Sequence, residues 1–272
     1  MLEIYKSNVD FSRRAMTYHL YGLSFREFLN FENRIQLEPI ELGDILEKHQ
    51  SIASDIASSI KILPEYKKYL EYGYYPFYKE GVKGYRVRLQ NIVNTVLEND
   101  LPAVENVEYA TIHKIKRMLM IVASMVPFTP NITKLSAEIE ANRANTIKYL
   151  GYLQKADLII SCLSSRRGMG LMNKPDKVYL ENTNLLHALA LSNVNEGNIR
   201  ETFFANQMNV LHKLNTSEKG DFLINGDYIF EIGGAKKGFD QIKDLKNSFV
   251  AADDVETGYG NKIPLWLFGL MY

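Results

Sequence analysis

The sequence predicts a helix-rich α+β protein, and three observations predict it. Before residue 158, apolar residues recur mostly at three- and four-residue spacing, as on the buried stripe of a helix. After it, short runs change to a period of two, as on a half-buried strand. There is no internal repeat or low-complexity tract, so the elements belong to compact modules, and 272 residues are enough for two or three of them.

The first residues read as a helix end, and the alternation over 15–20 reads as a strand. Ser24 then reads as an N-cap, with Glu27 three residues on completing a capping box. Leu23, Phe25, Phe28, Leu29 and Phe31 fall mostly on one helical stripe. A single strand at 15–20 cannot satisfy its own backbone groups, which makes it an orphan. Residues 41–101 are helical, with Ile45, Leu46, Ile52, Ile56 and Ile60, then Leu89, Ile92, Val93, Val96 and Leu97 at helical spacing. The run Tyr72-Gly-Tyr-Tyr-Pro-Phe-Tyr78 breaks this pattern with an aromatic loop, read first as packing and second as a stacking surface for a ligand.

A second module starts near Val107. A helix to about Met125 is stopped by Pro127 and Pro130. A short helix over 133–140, a tight turn at Ala141-Asn142 and a helix over 143–155 follow. Ile159-Ile160 then leads through a polar loop over 164–174 to a returning strand at 177–180. Three helices followed by a small hairpin is the order of a winged helix. In the last module, residues 198–214 read as an amphipathic helix. Asp221-Phe-Leu-Ile and Tyr228-Ile-Phe-Glu231 read as strands joined across Asn225-Gly226, a strong hairpin signal. A short helix over 239–245, a strand over 248–251 and an apolar tail complete the chain.

Composition excludes several function classes. The only cysteine, Cys162, cannot build a disulfide framework or a thiolate zinc site. No signal peptide is visible, and the longest apolar runs, 118–128 and 263–272, fall well short of the roughly 18–20 residues a bilayer needs. A cytoplasmic protein without a membrane partner is therefore expected. Thirty-two basic residues balance thirty-two acidic ones, so electrostatic arguments must be local.

None of the seventeen glycines is followed by lysine, so the phosphate-cradling pattern G-x-x-x-x-G-K-[ST] is absent and the chain is not by itself a nucleotide hydrolase. His19, His49, His113, His187 and His212 form no i, i+4 pair, and no serine sits in a G-x-S-x-G elbow. Neither a histidine metal site nor a serine hydrolase is supported, and no metal site is assigned.

Two constellations remain. Residues 132–177 carry eight basic residues against four acidic ones. Arg143, Asn145, Thr146 and Lys148 lie on the second helix of the helix-turn-helix, whose N-terminal part contacts base edges, while Arg166 and Arg167 in the wing would meet phosphates. The alternative is a winged helix that only joins its neighbours. In the last module, nucleases of the restriction-endonuclease type place an aspartate on one strand and E-x-K on the next, so that two carboxylates hold Mg²⁺ beside a lysine. Asp221 and Glu231 lie on the two arms of the hairpin, Glu201 could add a third acid from the preceding helix, and Gln241 follows. The lysine position is Gly233, leaving Lys236 or Lys237 to reach in from a displaced position. A degenerate core kept for packing or binding is the competing reading.

The phrases Tyr18 to Leu29, Gly73-Tyr-Tyr-Pro76, Asp100-Leu101 and Tyr149-Leu150-Gly-Tyr-Leu153 occur in an informative order. Val178-Tyr-Leu-Glu-Asn-Thr-Asn184, Asn198-Ile-Arg-Glu-Thr-Phe-Phe204, Phe230-Glu-Ile-Gly-Gly234 and Asn261-Lys-Ile-Pro-Leu-Trp266 extend it. In these phrases the whole chain resembles the C-terminal portion of a predicted bacterial AAA-superfamily ATPase that carries a C-terminal domain of unknown function. The resemblance implies four parts: a remnant of the ATPase core (1–31), a helical lid (32–106), the winged helix (107–193) and a degenerate endonuclease-like domain (194–272). It places the family's Walker motifs upstream of Met1, so ATP and Mg²⁺ belong to the full-length family and no cofactor is expected for this chain. Arg13 and Arg14 become nucleotide-sensing candidates, with surface charge as the plainer reading. A fragment separated from its ATPase sheet should have residues 1–31 poorly ordered or packed against something else. Its expected role is binding DNA or RNA, a partner protein or a second copy. The rival is a Mg²⁺-dependent nuclease using Glu201, Asp221 and Glu231.

Overall fold

A computed structural model describes residues 18–33, 35–105, 107–125, 127–165, 174–190 and 194–272. Its architecture is the helix-rich α+β fold that the two periodicities predict: ten α-helices and one seven-stranded mixed sheet among the described residues. The helices, in order, are α1 (Phe25–Asn33), α2 (Leu42–Ser59), α3 (Ile62–Lys68), α4 (Tyr85–Thr95) and α5 (Leu101–Glu105). Then come α6 (Tyr109–Met125), α7 (Ile132–Glu138), α8 (Arg143–Lys155), α9 (Thr183–Leu189) and α10 (Glu196–Leu211). Strands β1 (Ile159–Ser164) and β2 (Lys177–Leu180) precede α9, and β3 (Leu214–Thr216), β4 (Phe222–Ile224), β5 (Tyr228–Gly233), β6 (Ser248–Ala252) and β7 (Lys262–Pro264) follow α10.

Helix starts follow side-chain chemistry. At α1 the Ser24 hydroxyl accepts from Glu27 N at 3.1 Å and Glu27 accepts from Ser24 N at 3.0 Å, the reciprocal capping box. Asn131, Asn142 and Asn182 each accept a backbone N–H three residues on, starting α7, α8 and α9. The alternation over 15–20 does not give a strand where it can be followed: residues 18–20 are outside any strand, and Tyr18 and Leu20 are 80% and 94% exposed. Residues 15–17 lie outside the described residues. Among the described residues no strand pairs with 18–20, and alternation alone has nothing to hold it.

The helix after that segment is well anchored. Phe25 and Phe28 of α1 are fully buried against Tyr69, and Phe25 also meets Tyr66, which packs edge-on to Phe203 of α10 at 4.9 Å. The aromatic run 72–78 is chiefly packing: Tyr74 and Tyr78 are buried, and Tyr72 packs against Tyr78. Two π-helical segments, Tyr69–Gly73 and Val96–Asp100, interrupt the helical stretch.

After α6, Phe128 exchanges two backbone hydrogen bonds with Val178 of β2 (2.9 and 2.8 Å), adding a one-residue third rung to the β1–β2 hairpin. Helix, rung, two helices and hairpin is the winged-helix order. The sheet then runs β2-β1-β3-β4-β5-β6-β7. β1 pairs in parallel with β3 (Leu163↔Asn215, Ser164↔Thr216), so the hairpin of the second module and the strands of the third form one continuous sheet. One large apolar core extends from Phe25 to Met271. Phe204 of α10 lies on the sheet against Phe222, Phe230 and Phe268, at 5.0 to 5.2 Å between ring centres.

Asn225 and Gly226 both adopt positive φ (54° and 79°), the conformation a tight hairpin demands of its turn. The helix expected over 239–245 is instead a series of turns. Its backbone closes mainly as three-residue turns, Ile242 N donating to Phe239 O and Leu245 N to Ile242 O, and Ser248 Oγ lies 3.0 and 2.8 Å from Ile242 O and Leu245 O at its end. No helix among the described residues is long and apolar enough to cross a membrane.

Candidate functional site

The candidate carboxylates gather where α10 crosses the sheet, in two groups. In the first, Glu201 projects from α10 and accepts from Tyr179 Oη at 2.8 Å. Lys177 lies two residues before Tyr179 on β2, hence on the same face. Its ammonium stands 3.6 Å from Glu201 Oε2 and 3.7 Å from Asp221 Oδ1. Burial pushes the Glu201 pKa above the usual carboxylate range, the Asp221 charge adds to this, and Lys177 opposes it.

Asp221 is also fixed from its other side. Its N–H donates to Phe230 O and its Oδ2 accepts from Ile232 N, both at 2.8 Å. The β4–β5 register pairs Phe222 with Phe230, which sets Asp221 beside Glu231 at the end of the ladder.

In the second group, Glu231 is 3% exposed and forms an ion pair with Lys237. The Gln241 amide, turned so that its nitrogen donates, reaches both Glu231 oxygens at 3.2 and 3.3 Å. The lysine that E-x-K would require at 233 is absent, yet a lysine fills that place. A β-carbon on Gly233 would meet Lys237 Cγ at 2.5 Å and Cβ at 2.6 Å. Lys236 is exposed and has no part in this, so of the two displaced candidates only Lys237 reaches the site. The turn is held from below by Lys262, a buried residue of β7, whose ammonium donates to Ala235 O at 2.6 Å and Lys237 O at 3.0 Å.

Every carboxylate of the set therefore has a protein cation: Lys177 for Glu201 and Asp221, Lys237 for Glu231. Among the described residues no group of three or more His, Cys, Asp or Glu side chains converges as a metal would need. Cys162 is fully buried and its thiol is pushed up to about 12 by burial, which keeps it protonated and unreactive.

The nucleic-acid candidates divide differently. Arg143, Asn145 and Lys148 are exposed on α8, and Lys148 sits 5.4 Å from the ring centre of Tyr152. Thr146 is fully buried, with its hydroxyl 2.8 Å from Ser136 Oγ and 2.9 Å from Asn142 O. It joins α8 to α7 and cannot touch a base, so it leaves the candidate set. The opposite face of α8, with Tyr149, Leu150 and Leu153, is buried. Arg166 and Arg167, and Arg13 and Arg14, lie outside the described residues. Of the basic residues counted in this region, Lys134 pairs with Glu138, Lys155 with Glu105, and Lys177 with the carboxylates.

The residues that sequence reasoning missed are Lys177, Tyr179 and Lys262. The pattern carries no local signal for them, because their partners come from strands and helices distant along the chain.

Comparison with known proteins adds the following. Residues 63–196 match the family described as Domain of unknown function (DUF8612). That stretch covers the aromatic segment, the three-helix-and-hairpin module and α9, and it ends ahead of Glu201. An uncharacterized protein of Methanocaldococcus jannaschii is 24% identical over 162 residues, covering 57% of this chain and 33% of that protein. The chain thus spans about a third of the length of this relative. No solved structure matches.

Proposed function

We propose that this chain is a nucleic-acid-binding part of an AAA-superfamily ATPase, acting through α8 and without nucleotide hydrolysis of its own. The supporting observation is the division of α8 into two faces. Its packed face is locked by Thr146, Tyr149, Leu150 and Leu153, while Arg143, Asn145 and Lys148 point to solvent from its N-terminal half. A recognition helix needs this arrangement: rigid backing, with free donors on the side that enters a groove. Arg143 has no ion-pair partner among the described residues, so binding a phosphate or a guanine edge would not first break a salt bridge. The ATPase relationship rests on the resemblance of the quoted phrases.

The test is a fluorescence-anisotropy titration of duplex DNA and of RNA over a salt series. Binding should weaken with salt, and Arg143→Ala and Lys148→Ala should each reduce both affinity and its salt slope. Unchanged affinity and slope in both variants would sink this reading and leave a structural winged helix or a protein-binding surface.

A second reading, Mg²⁺-dependent phosphodiester cleavage by Glu201, Asp221 and Glu231, is favoured by one observation: Lys237 fills the position of the missing E-x-K lysine. The residues present fit a metal ion poorly, because Lys177 already stands between Glu201 and Asp221. Incubation with supercoiled and branched DNA in Mg²⁺ or Mn²⁺ distinguishes the readings. Cleavage abolished by Asp221→Ala would favour the nuclease.

A further inference from the structure

At about 100° per residue, the side chains of α8 sort into distinct positions around its axis. Tyr149, Leu150 and Leu153 face the core. Ala144, Lys148, Gly151 and Lys155 recur at spacings of four and three along the opposite side, and all of them are exposed. Arg143 and Asn145, also exposed, lie on the two flanks of this line, each about 100° from its middle. The stretch Arg143–Lys155 contains no acidic residue, and Lys155 at its far end pairs with Glu105.

Gly151 is the unexpected member of the line. A glycine inside a helix destabilises it relative to alanine, so its presence needs a reason. Among the described residues no heavy atom lies within 4 Å of where a β-carbon on Gly151 would stand, so packing there does not supply one. An absent side chain at an exposed position does allow close approach by something outside the chain. Ala144, two turns earlier on the same line, is nearly as small. The middle of the exposed side is therefore low, with Lys148 as the polar group between them and Arg143 and Asn145 raised on the flanks.

Resting on the reading of α8 as a nucleic-acid-binding helix, we propose that its partner is B-form duplex DNA and that it reads thymine. The helix lies in the major groove with Ala144 against a thymine 5-methyl group and Gly151 close to the groove floor. An acid-free surface bearing Arg143 and Lys148 complements a polyanion. The B-form major groove admits an α-helix, whereas that of an RNA duplex is too deep and narrow. The alanine methyl packs on the thymine methyl, a group that uracil lacks. Lys148 reaches the O6 and N7 acceptors of a neighbouring guanine. Arg143 and Asn145, on the flanks, meet the two sugar–phosphate walls and set affinity and register without reading bases.

Fluorescence anisotropy with three duplexes of equal length tests this: alternating d(TG)·d(CA), the same DNA with deoxyuridine in place of every thymidine, and r(UG)·r(CA). The deoxyuridine duplex should bind about fourfold more weakly, the effect of one methyl group left uncovered, and the RNA duplex more weakly still. Ala144→Gly should erase the difference between the two DNA duplexes. Gly151→Leu, a better helix former at an open position, should raise Tm and lose duplex binding. Equal binding of the thymidine and deoxyuridine duplexes, equal binding of DNA and RNA, or tight binding by Gly151→Leu would each overturn the inference. In those cases an affinity that falls with salt and with Arg143→Ala would still uphold the nucleic-acid reading of α8. Binding of none of the three duplexes would overturn both.

Discussion

The side chain of Lys237 occupies the space that a side chain on Gly233 would need, and from there it pairs with Glu231. The chain thus keeps the charge of an E-x-K arrangement while moving its source four residues along. Gly233 is then a glycine for steric reasons: its neighbour's methylenes fill the site. Gly233→Ala should destabilise the protein by about 1–3 kcal/mol in urea titration, the range for overpacking. In a Lys237→Ala background the same change should cost clearly less, and equal costs in the two backgrounds would separate the residues.

Thr146 and its exposed neighbours make opposite demands on experiment. Thr146→Val removes a hydroxyl bonded to Ser136 and Asn142 and should cost about 1–3 kcal/mol of stability. It should leave any nucleic-acid affinity unaltered at temperatures where the variant is folded. Arg143→Ala should do the reverse, leaving Tm nearly unchanged and reducing the salt slope by about 1. A Thr146→Val protein that folds but loses binding would return that residue to the contact surface.

Stability should depend on Glu181. Its folded pKa, about 7, lies above its ordinary value of 4.5, so the folded state holds the proton more tightly. Stability should therefore be greatest at or below pH 4.5 as far as this group is concerned, fall between 4.5 and 7, and level off above. The size is on the order of 3 kcal/mol from the shift itself. Glu181→Gln should flatten this part of the profile, and a wild-type profile that rises from pH 5 to pH 7 by the same amount in both proteins would contradict it.

Lys262 is buried with two backbone carbonyls as its hydrogen-bond partners, and it fixes the turn that carries Lys237. Lys262→Met should strip both carbonyls of their donor, costing about 1–3 kcal/mol. Amide hydrogen exchange should then accelerate at Lys237 and Gly238 while the β5–β6 ladder stays protected. Uniform acceleration across the sheet would mean that Lys262 supports the fold as a whole.

What was legible in the sequence was local. The Ser24–Glu27 box, the Asn225-Gly226 turn and the proline stops after α6 each depend on a few neighbouring residues, and the structure realises each one. The helix expected over 239–245 has a helical apolar spacing, but the segment closes chiefly as short turns, Ile242 N to Phe239 O and Leu245 N to Ile242 O. The carboxylates Glu201, Asp221 and Glu231 were visible as a pattern. Their counter-ions were not, because Lys177 reaches them only through the order of strands across the sheet. Thr146 was misplaced for a related reason: its position on the helix start fits contact with a groove, whereas its orientation is set by α7.

The two-residue parallel pairing of β1 with β3 joins segments about fifty positions apart, and Asn215 Nδ2 reinforces it by donating to Leu163 O at 2.9 Å. On a growing chain the β1–β2 hairpin can close soon after residue 180 leaves the ribosome, since its contacts are local. One edge of β1 must then wait, with open backbone groups, until α10 and β3 have been synthesised. During that interval the nascent chain offers an unpaired strand to any neighbour, and polysome-bound copies would be the first place for mispairing between molecules.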